Sequence, residues 1–285
     1  MPCLWMLASC LLFAAMGVCI KFSAHVGFSV AEIAFYRSGI ALALMTALML
    51  GRRVSPLTPH WRFQLSRSLT GFFSMTLNFW AITLLPLATA MTLNYTSPLF
   101  LALLLVGFAG LKLNTGMALS LTLGFFGVGL LLHPSLAAEQ WFGALLGLSS
   151  GVLAACSYYN IRELGARGEP EVRTVFYFSL FATLLSLFWL AFTPLQTLRL
   201  DNILPLLGVG AFATLAQLCM TRAYSRGKAL LNASLSYLTV IFASLFGVLL
   251  WHEHLGWSEM LGMIFITLAG IAAGHFSRAR IGKAG

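Results

Sequence analysis

Residues 90–100 read Ala-Met-Thr-Leu-Asn-Tyr-Thr-Ser-Pro-Leu-Phe, and part of this pattern returns half a chain further on. Tyr95 and Phe100 recur as Tyr237 and Phe242, both at a shift of 142 residues. Other matches keep a shift that drifts from 141 to 143 along the chain: Lys21 with Arg162, Tyr36 with Tyr177, Ser38 with Ser179, Ala81 with Ala223, Leu103 with Leu245, Leu113 with Leu255, and Gly127 with Gly270. A single match carries no weight in so apolar a chain, but their common order indicates an internal duplication.

The composition is that of a membrane protein. The 285 residues are 59% hydrophobic and only 9% charged, and the mean hydropathy is +0.89. Soluble domains carry roughly 25% charged residues, so a soluble fold of this length could not cover its surface with so few. The surplus apolar surface must therefore face lipid.

Ten apolar segments are long enough to cross a bilayer, which takes about 20 predominantly apolar residues. They cover approximately residues 3–21, 31–50, 66–84, 87–109, 116–133, 141–161, 173–193, 203–222, 229–250 and 257–276. Only Leu85-Pro86 separates the third from the fourth, and proline there fits a tight turn between two helices. The sequence predicts an all-α polytopic membrane protein with ten transmembrane helices.

The net charge of +9 does not indicate nucleic-acid binding, because the basic residues lie singly or in small groups between apolar segments. One set of loops holds 14 of the 17 Lys and Arg residues, including Arg67 at the start of the third span. The opposite set holds Lys21 and Arg199, and Arg37 lies inside a span. By the positive-inside rule, both termini should be cytoplasmic in the inner membrane of a bacterium.

The duplication has a geometric consequence for the two halves, residues 1–140 and residues 141–285. Each half holds five predicted spans, and an odd number makes the second half cross the membrane in the opposite sense to the first. Inverted repeats are characteristic of secondary transporters, whose substrate site lies between the halves near the midplane. We therefore expect two five-helix inverted repeats around a central cavity.

Several motifs resemble those of the drug/metabolite transporter superfamily, EamA type, over essentially the whole chain. They are the segment 12–17 followed by Lys21, Phe35-Tyr36-Arg37 in the second span, the segment 90–100, and the segment 234–239 with Glu253 beyond it. The Asn94-to-Pro98 pattern is similar to one in aromatic amino acid exporters. The segment from Thr92 to Phe100 is equally similar to S-adenosylmethionine transporters.

The resemblance implies that helices 1, 3, 4, 6, 8 and 9 surround the cavity and that helices 2, 5, 7 and 10 lie outside. It also implies transport of amino acids, nucleotides, sugars or related metabolites. The first span lacks the carboxylate that small multidrug members of the superfamily use for proton exchange. Proton antiport by that route is not expected.

Polar side chains inside spans usually face the bundle interior, and they recur here at helical spacing. Carboxamides cannot satisfy themselves within a helix as Ser and Thr can, and tyrosines can stack on planar substrates. The predicted substrate-binding residues are Asn78, Asn94, Tyr95, Tyr158, Gln217, Asn232, Ser236 and Tyr237. Arg37 is interpreted as extending to the membrane surface, because its helix would be peripheral, and the alternative is a counter-charge for an anionic group of the substrate. Pro98 should kink the fourth span, whereas its repeat mate Val240 leaves the second copy free to differ.

The sequence thus predicts a secondary transporter of small organic metabolites, foremost amino acids, exported by alternating access through a neutral cavity. The alternatives are import or exchange of S-adenosylmethionine, a nucleotide or another metabolite and, more remotely, a channel or a membrane-embedded enzyme. The spans contain no HExxH motif, no pair of buried carboxylates and no Ser/His/Asp set, so no enzyme is expected.

No cofactor and no metal site are expected. The five cysteines lie in apolar segments without a CxxC pair, and His252-Glu253-His254 is interpreted as an outer loop. The expected partners are a small-molecule substrate and the lipid bilayer, without nucleic acid. The chain is expected to be a monomer, with a homodimer as the alternative.

Overall fold

The computed structural model describes residues 2–108, 115–132, 140–197, 203–227, 232, 235–253 and 256–278. These residues form eleven α-helices and no β-strand. The helices are α1 (Pro2–His25), α2 (Val30–Gly51), α3 (Trp61–Leu84), α4 (Leu87–Asn94), α5 (Ser97–Phe108), α6 (Thr115–Leu132), α7 (Trp141–Ala166), α8 (Glu171–Leu190), α9 (Ile203–Arg226), α10 (Leu238–Trp251) and α11 (Trp257–Arg278). The prediction of an all-helical polytopic membrane protein is confirmed.

Six helical segments of the described chain are long and apolar enough to cross a membrane. They are Leu4–His25, Val30–Gly51, Leu87–Phe108, Trp141–Ala166, Glu171–Leu190 and Ile203–Arg226. The third of these joins α4 and α5. Part of the ninth predicted span lies outside the described residues, and the count of ten spans stays a prediction.

The surface of the helices is apolar, as a lipid-facing surface should be. Large hydrophobic side chains stand exposed along several helices, among them Leu50 at 75% and Phe188 at 70%. Such exposure would be a severe aggregation liability in water. Many polar side chains of the spans are instead buried, among them Asn78, Asn94 and Gln217.

Short polar signals set the turns between helices. Ser29 caps α2 with a capping box: its Oγ accepts from the backbone N–H of Glu32, and the Glu32 carboxylate accepts from the Ser29 N–H at 2.8 Å. Gly27 supplies the turn before it with a φ of +102°, a conformation that a side chain disfavours. Pro86 stands at the N-cap of α4, where the helix needs no N–H donor.

The fourth predicted span is broken into α4 and α5 by a turn at Tyr95-Thr96. Across the turn the Thr96 N–H donates to the Leu93 carbonyl at 3.2 Å, and Pro98 lies in the first turn of α5. A turn at Ser236-Tyr237 likewise precedes α10, although Val240 replaces the proline there. The predicted repeat relates these two turns at a shift of 142 residues, and the second turn forms without a proline in the helix that follows it.

The most extensive helix contacts are α3 with α7, α1 with α9, α2 with α8, and α6 with α11. Every one of these pairs joins a helix of the first half to a helix of the second. Glycines permit some of the closest approaches: a Cβ added at Gly127 of α6 would lie 2.9 Å from the Gly262 carbonyl oxygen on α11. The halves are thus interleaved, and the cavity described next lies between them.

Candidate functional site

A cavity of about 80 Å³ lies inside the helix bundle. Side chains from α1, α2, α3, α4, α7, α8 and α9 line it, together with Tyr95 from the turn between α4 and α5. The lining is a mixture of aromatic, thioether, amide, hydroxyl and guanidinium groups. A small number of polar groups in a mostly apolar concave site is the usual form of a small-molecule site.

Five of the eight predicted binding residues line this cavity: Asn78, Asn94, Tyr95, Tyr158 and Gln217. Asn94 is held in place, since its Nδ2 donates to the Ser150 Oγ at 2.8 Å. Within the described residues, the Asn78 Oδ1 and the Gln217 Nε2 are buried without a hydrogen-bond partner. Because an unpaired buried amide is costly, these two groups are available to a ligand.

The other three predicted residues lie outside the lining. Asn232 is fully buried, and its Nδ2 donates to the Ala223 carbonyl. Ser236 and Tyr237 are 1% exposed in the turn before α10, and they pack within the protein. Their role in substrate binding stays a prediction.

Two arginines also line the cavity, and they change its character. Arg37 on α2 is 3% exposed and Arg67 on α3 is 2% exposed. The interpretation that Arg37 extends to the membrane surface is wrong, since its side chain turns inward. The assignment of Arg67 to a loop is wrong for the same reason, and the prediction of a neutral cavity fails with them.

Both guanidinium groups lie against one aromatic ring, that of Phe178 on α8. The guanidinium carbon is 4.9 Å from the ring centroid for Arg37 and 4.2 Å for Arg67. A desolvated cation–π contact contributes about 2 kcal/mol. Dehydrating a buried ion costs several kcal/mol even after the protein relaxes. The ring therefore offsets only part of the cost of burying two cations.

Phe178 and Arg37 also correct the expected division into lining and outer helices. They come from α2 and α8, the second and seventh predicted spans, which the resemblance places outside the ring. Long side chains from these helices nevertheless reach the cavity, and Gly71 on α3 leaves a gap beside the Phe178 ring. A Cβ at Gly71 would collide with the Arg67 guanidinium and lie 3.0 Å from the Phe178 ring.

An ion pair closes one end of the bundle, at the end where α1 finishes. Lys21 of α1 pairs with Glu253, which follows α10, and their side chains are 14% and 10% exposed. The Glu253 carboxylate also accepts from the Leu87 N–H at the start of α4, at 3.1 and 3.2 Å. Lys21 lies 4.8 Å from the centroid of the Trp251 ring. Glu253 therefore joins α1, α4 and α10 at one point.

Sequence reasoning gave Arg37 a role in the site only as the alternative and missed Arg67, although each residue carried a signal. Arg37 was the charge farthest inside a span, and Arg67 lies one helical turn before Gly71. No group of three or more His, Cys, Asp or Glu residues that could hold a metal ion occurs in the described residues. His254, one member of the predicted outer loop, lies outside them.

A helical membrane protein with a cavity of mixed polar and apolar lining inside its bundle is typical of the class of membrane transport proteins. The EamA-like transporter family matches residues 1–133 and again residues 141–273. The chain belongs to this family, and it is therefore a transporter and not an enzyme.

Curated relatives agree with the family. The pseudopaline exporter CntI of Pseudomonas aeruginosa is 32% identical over 262 residues, which make up 91% of each protein. An uncharacterized transporter of Helicobacter pylori is 26% identical over 276 residues, 92% of this chain and 90% of that protein. A solved crystal structure superposes with a TM-score of 0.74 over 98% of both chains at 19% identity, a likeness of fold alone.

Proposed function

We propose that this transporter exports small organic metabolites, foremost amino acids, by alternating access through the central cavity. One observation carries the proposal: the cavity lining contains both members of several pairs that the internal duplication relates. At the shift of 141–142 residues these pairs are Phe13 with Ala154, Met16 with Ser157, Arg37 with Phe178, Met75 with Gln217, and Asn78 with Met220. A central site between two inverted repeats produces such a lining.

The helix contacts support the same arrangement of ten helices in two inverted repeats, residues 1–140 and 141–285. In that arrangement α1 corresponds to α7 and α3 corresponds to α9. The α3–α7 contact then corresponds to the α9–α1 contact, and both are among the most extensive in the protein. The α2–α8 and α6–α11 contacts each join corresponding helices. Such a pair of interleaved halves can rock about the site that they share.

The chemistry of the lining supports amino acids as substrates. Asn78 offers an unpaired acceptor and Gln217 an unpaired donor, which match an ammonium and a carboxylate group respectively. Tyr95 and Tyr158 add aromatic surface for an apolar or planar side chain. The curated relative that is an exporter supports outward transport.

The ion pair of Lys21 and Glu253 serves in this proposal as the outer gate. The predicted topology places both termini in the cytoplasm, so α1 ends at the outer face. Opening that face must separate Lys21 of α1 and Leu87 of α4 from Glu253, which directly follows α10. We place the protein in the bacterial inner membrane as a multi-pass monomer.

The test is counterflow in liposomes that contain the purified protein. Liposomes loaded with one unlabelled solute should accumulate the same labelled solute transiently, and the uptake should saturate. The panel comprises aromatic, aliphatic and acidic amino acids, S-adenosylmethionine and nucleotides, each with and without a pH gradient. Absence of accumulation for every solute would overturn the proposal.

The site is tested with the same assay. Asn78→Ala and Gln217→Ala should each weaken the apparent affinity by about tenfold, since each removes a hydrogen bond to a charged group of the substrate. Asn160→Ala is the matched control, because Asn160 is an equally buried amide on α7 that bonds to Ser66 and lies outside the lining. Equal affinity in all three variants and the unmodified protein would remove both amides from the site.

A further inference from the structure

We propose that Arg37 and Arg67 together bind two carboxylate groups of one substrate, so that the cargo is an amino-acid-like metabolite with at least two carboxylates. The inference rests on the proposed function, since it names the substrate class of the same cavity. Such a cargo differs from a neutral or aromatic amino acid by at least one additional negative charge.

No carboxylate of the described residues pairs with either cavity arginine. Neither guanidinium group forms an ion pair within the described residues, and the Nε and Nη1 of Arg37 and the Nε of Arg67 have no hydrogen-bond partner there. Charged groups buried in a protein are normally paired or hydrogen-bonded. Two adjacent cations without an anion form a site that an anionic ligand completes.

The two cavity arginines also differ from the four arginines that form ion pairs in the described residues. Arg162, Arg167, Arg173 and Arg226 each form an ion pair with a glutamate, and all four are more exposed than the two in the cavity. The protein therefore provides carboxylates where water already stabilises the cation. It provides none where the cation is most costly. If Arg37 and Arg67 had a purely structural role, we would expect the carboxylates to accompany these buried cations.

The cavity is also shaped around the guanidinium groups of Arg37 and Arg67. Phe178 presents one ring to both, and Gly71 leaves space for the Arg67 guanidinium. The repeat mate of Arg37 is Phe178 itself, and the mate of Arg67 is Val209 at a shift of 142. The positive charge therefore comes from one half of the molecule only.

A planar guanidinium fork suits a carboxylate through two parallel hydrogen bonds, and the unpaired amides of Asn78 and Gln217 remain for the amino group and other polar atoms.

The test compares substrates that differ by one carboxylate and little else. Glutamate with glutamine, and aspartate with asparagine, are nearly isosteric pairs. In counterflow the acidic member of each pair should be preferred by about tenfold or more, the effect expected of one additional charge-assisted interaction. Arg37→Gln and Arg67→Gln should each abolish the preference, and Arg62→Gln should keep it, because Arg62 lies on the same helix as Arg67 but against Trp61 outside the cavity.

A second measurement does not depend on transport. Succinate should raise the thermal unfolding temperature of the detergent-purified protein, and phosphate or a neutral amide should not. Arg37→Gln and Arg67→Gln should fold with unchanged or higher stability without ligand, because each removes an uncompensated buried charge, and they should lose the stabilisation by succinate.

The outcomes separate the two proposals. If neutral amino acids show counterflow and the acidic members have no advantage, the dicarboxylate inference is wrong and the proposed function stands. Loss of stability in both glutamine variants without ligand would assign the arginines a structural role and overturn the inference. Preference for phosphate esters over dicarboxylates would overturn the choice of carboxylate. If no solute shows counterflow, the proposed function itself fails.

Discussion

Position 71 illustrates how a single residue can shape the cavity. Gly71 lies on α3 one turn after Arg67, so its missing side chain is the space that the Arg67 guanidinium occupies. A Cβ added at position 71 would also lie 3.0 Å from the Phe178 ring and 3.2 Å from the Ser157 hydroxyl oxygen. One methyl group would therefore compete with a cation, a ring and a hydroxyl at once.

Gly71→Ala should displace Arg67 and lower the stability of the protein by roughly 1–3 kcal/mol, the usual cost of overpacking a well-packed interior. Thermal unfolding in detergent measures the change. Gly39→Ala is the matched control, since no atom lies within 4 Å of a Cβ added at Gly39 on α2. Equal unfolding temperatures for the two variants would show that Arg67 does not depend on Gly71.

At the scale of elements, α7 supports the break between α4 and α5. The Ser150 carbonyl accepts from the Ser74 hydroxyl at 2.8 Å, and the Ser150 Oγ accepts from Asn94, so one residue joins α3, α4 and α7. A Cβ at Gly151 would meet the Thr96 Oγ1 at 2.5 Å and the Leu93 carbonyl oxygen at 2.9 Å. Backbone lies against backbone at this point, and it is the point where the helix is interrupted.

Gly151→Ala should therefore destabilise the protein by about 2 kcal/mol or more, because backbone atoms cannot move aside as a flexible side chain can. Gly107→Ala on α5 should have little effect, since nothing lies within 4 Å of a Cβ added there. Unfolding midpoints in detergent compare the two. A tolerant position 151 would contradict the close approach of α7 to the break.

At the scale of the whole molecule, the two ends of the bundle differ in how they are held. One end relies on the pair Lys21–Glu253, which is largely buried. The other end carries four pairs in the described residues: three are more exposed, such as Arg226 with Glu171, and the fourth, Arg173 with Glu169, is about as buried, so that end does not depend on a single pair. Exposed pairs contribute little to stability, whereas removing one partner of a buried pair is costly. The Lys21–Glu253 end is therefore the one that a single substitution should open.

Glu253→Gln should shift the protein towards the form that is open at the outer face. We expect an impermeant thiol reagent added outside intact cells to label Met16→Cys several-fold faster in this variant, in a background without native cysteines. Met16 lines the cavity five residues before Lys21, roughly 7.5 Å deeper along α1. Glu171→Gln, at the other end, should leave the labelling rate unchanged. Equal rates in both variants would mean that Glu253 is no gate.

The predicted topology has its own test. Alkaline phosphatase fused after residue 285 should be inactive, and a green fluorescent protein at the same position should fluoresce, because the C-terminus should be cytoplasmic. A phosphatase inserted after Thr197, in the predicted outer loop, should be active. The reverse pattern would invert the molecule and reassign the Lys21–Glu253 end to the cytoplasmic side.

How far sequence reasoning reached can be judged residue by residue. Asn78 and Gln217 were identified because a carboxamide inside an apolar helix needs a partner elsewhere, and both line the cavity. Asn232 met the same criterion, but its amide bonds to the Ala223 carbonyl nine residues away. Arg37 was seen as a buried charge but assigned to the wrong environment, because helical spacing gives its depth and not the helices that face it.

The sequence by itself determined the class of protein and predicted the relation between its halves. Hydropathy, charge placement and a half-length repeat depend on the composition and order of residues along the chain. They can therefore be recognised without knowing which residues are in contact. Only the tertiary structure decided the charge of the cavity. Arg37 and Arg67 come from two consecutive helices, and Phe178 comes from a helix more than 100 residues further on. Whether a buried cation faces lipid, a carboxylate or an aromatic ring depends on which side chains the packing brings to it. The segment at residues 90–100 indicated two related halves, and their packing placed two unpaired arginines between them.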